Sequence, residues 1–231
     1  MDSEVGSIIP RDVLEAEVSL VLKAYTSEKN AFLTTLLSRS SSVMPAESQV
    51  KSALVEYQSR AMLELSQLAL SRFERVRSLA LSEINLDSLS STNQIIIKTL
   101  TEFLITRISE ALTSQIRKDS VTIKRLMIEE MLNGKLSIVS FADVVAKSQF
   151  IYTDSVGRNR PSNQFVQGEL RNLFYLFPNL LVVVSQIEKD GNVILDNPGS
   201  KKHGKRMDAQ ALSDVQNSVL FPGSQCLVIS D

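Results

Sequence analysis

Backbone breakers are nearly missing from the first part of this chain. Gly6, Pro10 and Pro45 are the only glycine or proline residues before Gly134, and the other seven glycines, beginning with Gly134, and the other four prolines lie beyond. A long stretch without them can run as helix, because nothing in it frees φ or removes an amide donor. The remainder reads as short strands and turns.

Pro10 suits the first turn of a helix, and Val13, Leu14, Val18, Val21, Leu22 and Tyr25 follow at three-and-four spacing, so a first helix is expected to end near Tyr25. A shorter helical piece over Ala31 to Leu37 precedes the serine run Ser40-Ser41-Ser42. From Pro45 to Ile84 the inner face carries Val50, Leu54, Tyr57, Ala61, Leu65, Leu68, Phe73, Val76 and Leu79, either as one long arm or as two helices with a kink. A serine-rich linker, Asn85 to Ser91, leads to a helix over Asn93 to Arg117, expected to bury Ile96, Ile97, Leu100, Phe103, Leu104, Ile108, Ala111 and Leu112. Ser120 is expected to cap another, stopped by Asn133-Gly134, and a last helix is expected over Ser140 to Lys147.

Beyond this point the pattern changes. Tyr152 to Asn163 reads as a linker or exposed loop, and Gly168 to Phe177 as a helical piece stopped by Pro178. Leu180 to Ile187, with three consecutive valines, predicts a strand buried on both faces, turning at Lys189-Asp190-Gly191-Asn192 into Val193 to Leu195. A short helix over Asp208 to Ser218 and a strand over Gln225 to Ser230 complete the reading. The expected class is α+β: an N-terminal all-α helical bundle over 1–148, a linker and helical connector over 149–179, and a small β-rich domain over 180–231.

With 231 residues, 43% hydrophobic, and net charge −1, the composition is that of a globular protein. No apolar run approaches the roughly 20 residues of a membrane span, and the Met1-Asp2-Ser3-Glu4 start lacks the basic and apolar regions of a signal peptide. An intracellular setting, cytoplasmic or nuclear, is expected. The lone Cys226, in Cys226-Leu227-Val228-Ile229, reads as a buried small hydrophobe in a strand.

Chemistry is hard to find. The chain has one histidine, His203, within a cationic loop unsuited to hold an imidazole as a base, and Glu129-Glu130 point about 100° apart on a helix. No dinucleotide or P-loop glycine spacing is present. The expectation is a chain that is not an enzyme, with no catalytic residues, metal or cofactor.

What stands out instead is contact chemistry. Lys201, Lys202, Lys205 and Arg206 form a glycine-flanked basic loop, Arg158 and Arg160 a weaker one, and Arg72, Arg75 and Arg77 a cluster on the long helix. These are the candidate contacts to nucleic acid or to a protein partner. The near-neutral charge argues against a dedicated nucleic-acid wrapper, so nucleic acid is secondary, through a packaging or nucleocapsid-type role for the basic loop 201–206. The leading expectation is a structural subunit of a hetero- or homo-oligomer. Apolar residues beside the main stripe, Leu63, Leu70 and Leu81, invite another protein.

The order of these features resembles a GINS subunit of the DNA replication machinery. The resemblance is carried by the first helix, Ser27-Glu28-Lys29 before Leu36-Leu37, the arm with Arg72-Phe73-Glu74-Arg75-Val76-Arg77, the linker Leu86-Asp87-Ser88-Leu89-Ser90, and the closing succession of Leu180 to Ile187, Val193 to Leu195, Asp208 to Ser218 and Cys226 to Ile229. It is topological, and Gly223 and Leu227 depart from the family pattern before the last strand. It implies a non-catalytic subunit of a four-chain complex bridging the replicative helicase ring and a RecJ-like partner. The helical domain would pack on sibling subunits, and the small domain would dock on a neighbour or on the helicase.

Overall fold

A computed structural model describes residues 8–38, 47–132, 151–153, 156–196, 200–201, 203–210 and 227–230. Four helices carry most of the described chain: α1 (Arg11–Ser38), α2 (Glu47–Ser82), α3 (Ser91–Leu132) and α4 (Ser162–Ile187). A two-stranded ribbon, β1 (Ile151–Thr153) with β2 (Asn159–Pro161), precedes α4. After α4 come β3 (Asn192–Asp196), β4 (Lys205–Asp208) and β5 (Leu227–Ser230), an antiparallel sheet in the order β4-β3-β5. Val193 stands opposite Met207 on one side and Ser230 on the other. The fold is α+β, as the sequence predicts.

Two compact units form, one from residues 1–19, 69–108 and 168–231, the other from 20–68 and 109–167, so each of the four helices contributes to both. In the first unit, the Phe73 ring packs 5.9 Å from Phe174 and edge-on to Phe177 at 5.8 Å. Val182 and Val183 of α4 join Val193, Leu195, Ala209 and Val228 in one buried cluster, so the sheet lies on the end of α4. In the second unit, Phe32 meets Tyr57 at 4.9 Å, and Val50, Leu54, Leu65, Leu112, Ile116 and Ile123 are buried.

α2 is one continuous helix. Its buried positions, Val50, Ala53, Leu54, Tyr57, Ala61, Leu65, Ala69, Phe73, Val76 and Ala80, hold a single three-and-four register from end to end. Ala80 takes the inner place expected for Leu79, which is exposed.

Several expected breaks are absent. α1 does not end near Tyr25, because Ser27-Glu28-Lys29 continues as helix and Lys29 and Phe32 are buried on its inner face. Ser120 caps nothing: it is buried inside α3 and its hydroxyl donates to the Ile116 carbonyl at 2.9 Å, satisfying itself on the preceding turn.

The largest difference concerns Leu180 to Ile187, which is the last part of α4 and not a strand. Pro178 lies inside this helix and does not stop it. Burial decides the matter: Leu181 through Val184 are all buried, and side chains covered on every side satisfy helix and strand equally, so tertiary packing overrides β propensity. The Lys189–Asn192 turn is present, with Asp190 at φ 49°, but it joins a helix to β3. Tyr152 to Asn163 is likewise no simple loop, since it holds β1, a Gly157 turn at φ 81°, β2 and the start of α4. The helix expected over Ser140 to Lys147, Cys226, and residues 211–218 of the helix expected from Asp208 lie outside the described residues, and Asp208 itself ends β4.

By length and composition α4 could cross a membrane, but 61% of its most apolar window is buried inside the protein, so it is covered as a core helix is.

Candidate interaction surface

The start of α3 is firmly held. Glu188, just past the end of α4, accepts the Ser90 amide and the Asn93 side-chain amide, each at 2.6 Å. Gln94 donates to the carbonyls of Leu86 and Leu89 at 3.1 Å. Hydrogen bonds from Ser90 and then Asn93 keep the Glu188 carboxyl below its ordinary range, and a carboxylate at this helix end also complements the dipole.

From this anchored start, Ile97, Leu104 and Ile108 turn inward and are buried. The outer face is not covered: Ile95 is 64% exposed, and Ile96 at 43% and Phe103 at 52% lie outside and not inside as the sequence predicts, because Ile97, Leu104 and Ile108 fill the inner register. Scattered exposed apolar residues are ordinary, but here Ile96 and Phe103 fall seven residues apart on one helix face with Ile95 beside them. On the neighbouring flank, α2 and α3 bound a groove of about 430 Å³ with Leu81, Leu86, Ile97 and Ile105 on its floor and Lys98 and Glu102 among its lining.

The arginines expected to meet a partner have engagements of their own. Arg72 and Arg75 approach the buried Glu17 carboxylate at 3.7 and 3.3 Å, and Arg77 Nε donates to Glu74 at 2.7 Å. Arg75 remains largely exposed, while Arg72 is only partly so. Lys201, Lys205 and Arg206 are exposed, the last two on β4, and Lys202 lies outside the described residues. Arg158 is exposed before β2, and Arg160 is half-buried on it. The loop 201–206 belongs to the first unit and Arg158 and Arg160 to the second. His203 is not adrift in its loop: Nδ1 sits 3.4 Å from Asp196, whose other carboxylate oxygen and backbone carbonyl accept from Arg11. Of the apolar residues expected to invite a partner, Leu63 is 60% exposed, whereas Leu70 and Leu81 are half-buried.

One polar cluster in the second unit was not expected. Lys29 donates to Ser162 Oγ at 2.9 Å and Asn163 Oδ1 at 3.1 Å, and its ammonium lies 5.0 Å from the Tyr25 ring centre. Asp119 accepts from Tyr25 Oη and, at 2.9 Å, from Gln115. Burial lowers the Lys29 pKa to about 8, with Asp119 opposing, and burial raises Asp119 against the pull of Lys29 and its hydrogen-bond donors. Burial first, then the Asp119 charge, hold Tyr25 and Tyr57 neutral far above the ordinary tyrosine range.

A serine hydroxyl beside a lysine of lowered pKa has the composition of a nucleophile and its base. Ser162 is fully buried, however, and its hydroxyl oxygen already accepts from Lys29 while its proton faces the Tyr25 hydroxyl 3.1 Å away, whose own proton goes to Asp119. The cluster therefore fastens the first residues of α4 to α1 and α3. A signal for it exists in sequence, since Lys29 and Asp119 occupy the inner register of otherwise apolar stripes.

Among the described residues, no three His, Cys, Asp or Glu side chains are grouped to hold a metal. No protein-family model matches the chain, and comparison with curated proteins and with solved structures returns no match.

Proposed function

We propose that this chain is a non-catalytic assembly subunit, and that the outer face of the first half of α3 is where another polypeptide seats. The observation that carries this reading is the exposure of Ile95, Ile96 and Phe103 on a helix whose first residues are hydrogen-bonded to Glu188. A preordered apolar face loses little freedom on association, which is what a docking helix needs. A GINS-like replication subunit that links helicase components is one form of this reading, supported by the sequence resemblance of the helical part, while the strand which that resemblance placed over Leu180 to Ile187 is helix here.

The test is native mass spectrometry of the tagged chain isolated from its own cells. A complex of fixed stoichiometry, lost in Phe103→Asp while circular dichroism and Tm are retained, is expected. A lone chain, or a complex indifferent to that substitution, overturns the reading.

A basic-loop role in binding nucleic acid is the second reading, supported by the exposure of Lys201, Lys205 and Arg206. Its mark is affinity for duplex DNA or RNA that falls steeply with salt and is lost when those three become alanine.

A further inference from the structure

The second half of α3 carries a repeat that the packing of the fold does not use. Ser114, Val121 and Ile128 recur at intervals of seven, and each interval holds an adjacent pair of cations in the same place, Arg117-Lys118 and then Lys124-Arg125. All of these positions are exposed, Val121 at 67% and Ile128 at 43%. Leu112, Ile116, Asp119 and Ile123 fill the buried side of the same turns. At about 100° per residue the exposed set shares one face: Val121 and Ile128 run along its middle, Arg117 and Lys124 along one edge, Lys118 and Arg125 along the other.

Charge on this face is one-sided. From Ser114 to Ile128 the sole carboxylate is Asp119, which is buried and accepts from Tyr25 and Gln115. Two local contacts touch the cations: Arg125 lies 3.7 Å from Glu129 while its side chain stays 68% exposed, and the Lys118 ammonium lies 5.4 Å from the Phe165 ring centre. Neither cancels the excess. Cations gathered on one face repel one another, and an acidic neighbour relieves that repulsion.

An apolar line bordered by charged rows at a seven-residue repeat is one side of a two-helix seam, in which the charges beside the apolar positions choose the partner. We infer that the second half of α3 docks an amphipathic helix of another polypeptide, one that carries glutamates or aspartates on both sides of its own apolar line. This goes beyond the assembly reading above: the surface lies on the other compact unit, and the charge of its partner is specified.

Other occupants fit this face less well. A second copy laid on it would set cation against cation. Phosphates of a nucleic acid would meet the cations, but the centre line presents the methyl groups of Val121 and Ile128 where an aromatic ring or a carboxamide would stack on or read a base. Two apolar side chains are too few to seat in a bilayer surface.

The test uses the full chain and a fluorescein-labelled peptide of three Ile-Ala-Ala-Leu-Glu-Gln-Glu repeats, an acidic amphipathic helix. Fluorescence anisotropy should give a Kd on the order of 10 μM at low salt, weakening as salt is added. Arg117→Ala with Lys124→Ala should weaken binding about tenfold or more, and so should Val121→Asp, with circular dichroism and Tm retained because these side chains are exposed. Lys98→Ala, an exposed cation on the first compact unit, should change the affinity by less than about twofold. Replacing all four cations with glutamate should abolish binding of the acidic peptide and create binding of its lysine-for-glutamate counterpart.

Four results overturn the inference. One is no binding of the acidic peptide up to about 1 mM. Another is equal binding of polyglutamate, which reduces the contact to polyanion attraction without the apolar line. A third is a DNA duplex bound more tightly than the peptide and released by the same substitutions, which makes the face a nucleic-acid surface. The last is a charge-reversed chain that still binds the acidic peptide.

Discussion

The Lys29 ammonium donates to Ser162 Oγ at 2.9 Å, joining the middle of α1 to the first residue of α4 across 133 positions of sequence. Burial lowers this lysine's pKa to about 8 in the folded protein, whereas in the unfolded chain it titrates near ~10.4. Between those values the unfolded state holds a proton that the folded state has given up, so stability rises with pH. Urea denaturation should show the wild type gaining on the order of 2–3 kcal/mol between about pH 7 and 10. Lys29→Met should be flat over that interval. Above about pH 10 the sign reverses, because Tyr25 and Tyr57 stay protonated when folded but ionise when unfolded.

Removing the acid from the same cluster acts differently. Asp119→Ala leaves Lys29 without its compensating charge and Tyr25 and Gln115 without their acceptor, all of them buried. A loss of about 3–5 kcal/mol is expected near neutral pH. The paired change Lys29→Met with Asp119→Leu should cost much less than the sum of the two single changes, a coupling that a double-mutant cycle in urea measures directly.

Glu17 offers a contrast within one ion cluster. Its side chain is 4% exposed, while Arg75 is 61% exposed and Arg72 30%. Arg75→Ala should lower stability by less than about 1 kcal/mol, since water screens that partner. Glu17→Ala should cost about 2–4 kcal/mol, because it strips the partially buried Arg72 of its carboxylate. Thermal denaturation of the two variants side by side decides the ranking.

Asn179 reaches from α4 to the sheet, its Oδ1 accepting the Val228 amide at 2.9 Å in a buried position. Asn179→Ala should cost about 1–3 kcal/mol and leave that amide unpaired. Hydrogen exchange should quicken at Val228 and its β5 neighbours, with little change over residues 50–65 of α2. Unchanged protection at Val228 would rule out the bond.

The long arm was legible because Val50 through Ala80 repeats one inward register without glycine or proline. β3 and β5 were legible for a similar reason: short apolar runs next to turn residues are distinctive. Continuity through Lys29 and through Ser120 was not, because both look like interruptions until the partner that buries them is known. Leu180 to Ile187 misled for a deeper reason: a segment buried on all sides loses the periodicity that separates helix from strand, and three valines then speak for the wrong one. On the surface side, Leu63, Lys201, Lys205 and Arg206 lie exposed, whereas the apolar outer face of α3 could be recognised only after burial had divided its isoleucines into inner and outer sets.

The valine triplet that ends α4 also shapes how the molecule comes into being. Out of context, Leu180 to Ile187 has the makings of an extended, self-pairing ribbon, and on a ribosome it emerges before Val193 and Val228, which later cover it. Until those residues arrive the nascent polypeptide carries a sticky, sheet-seeking octapeptide. Chaperones that shield such stretches should therefore engage this protein while residues 192–230 are being made, and lesions in the β5 strand should end in insoluble deposits sooner than in a loosened but dissolved product.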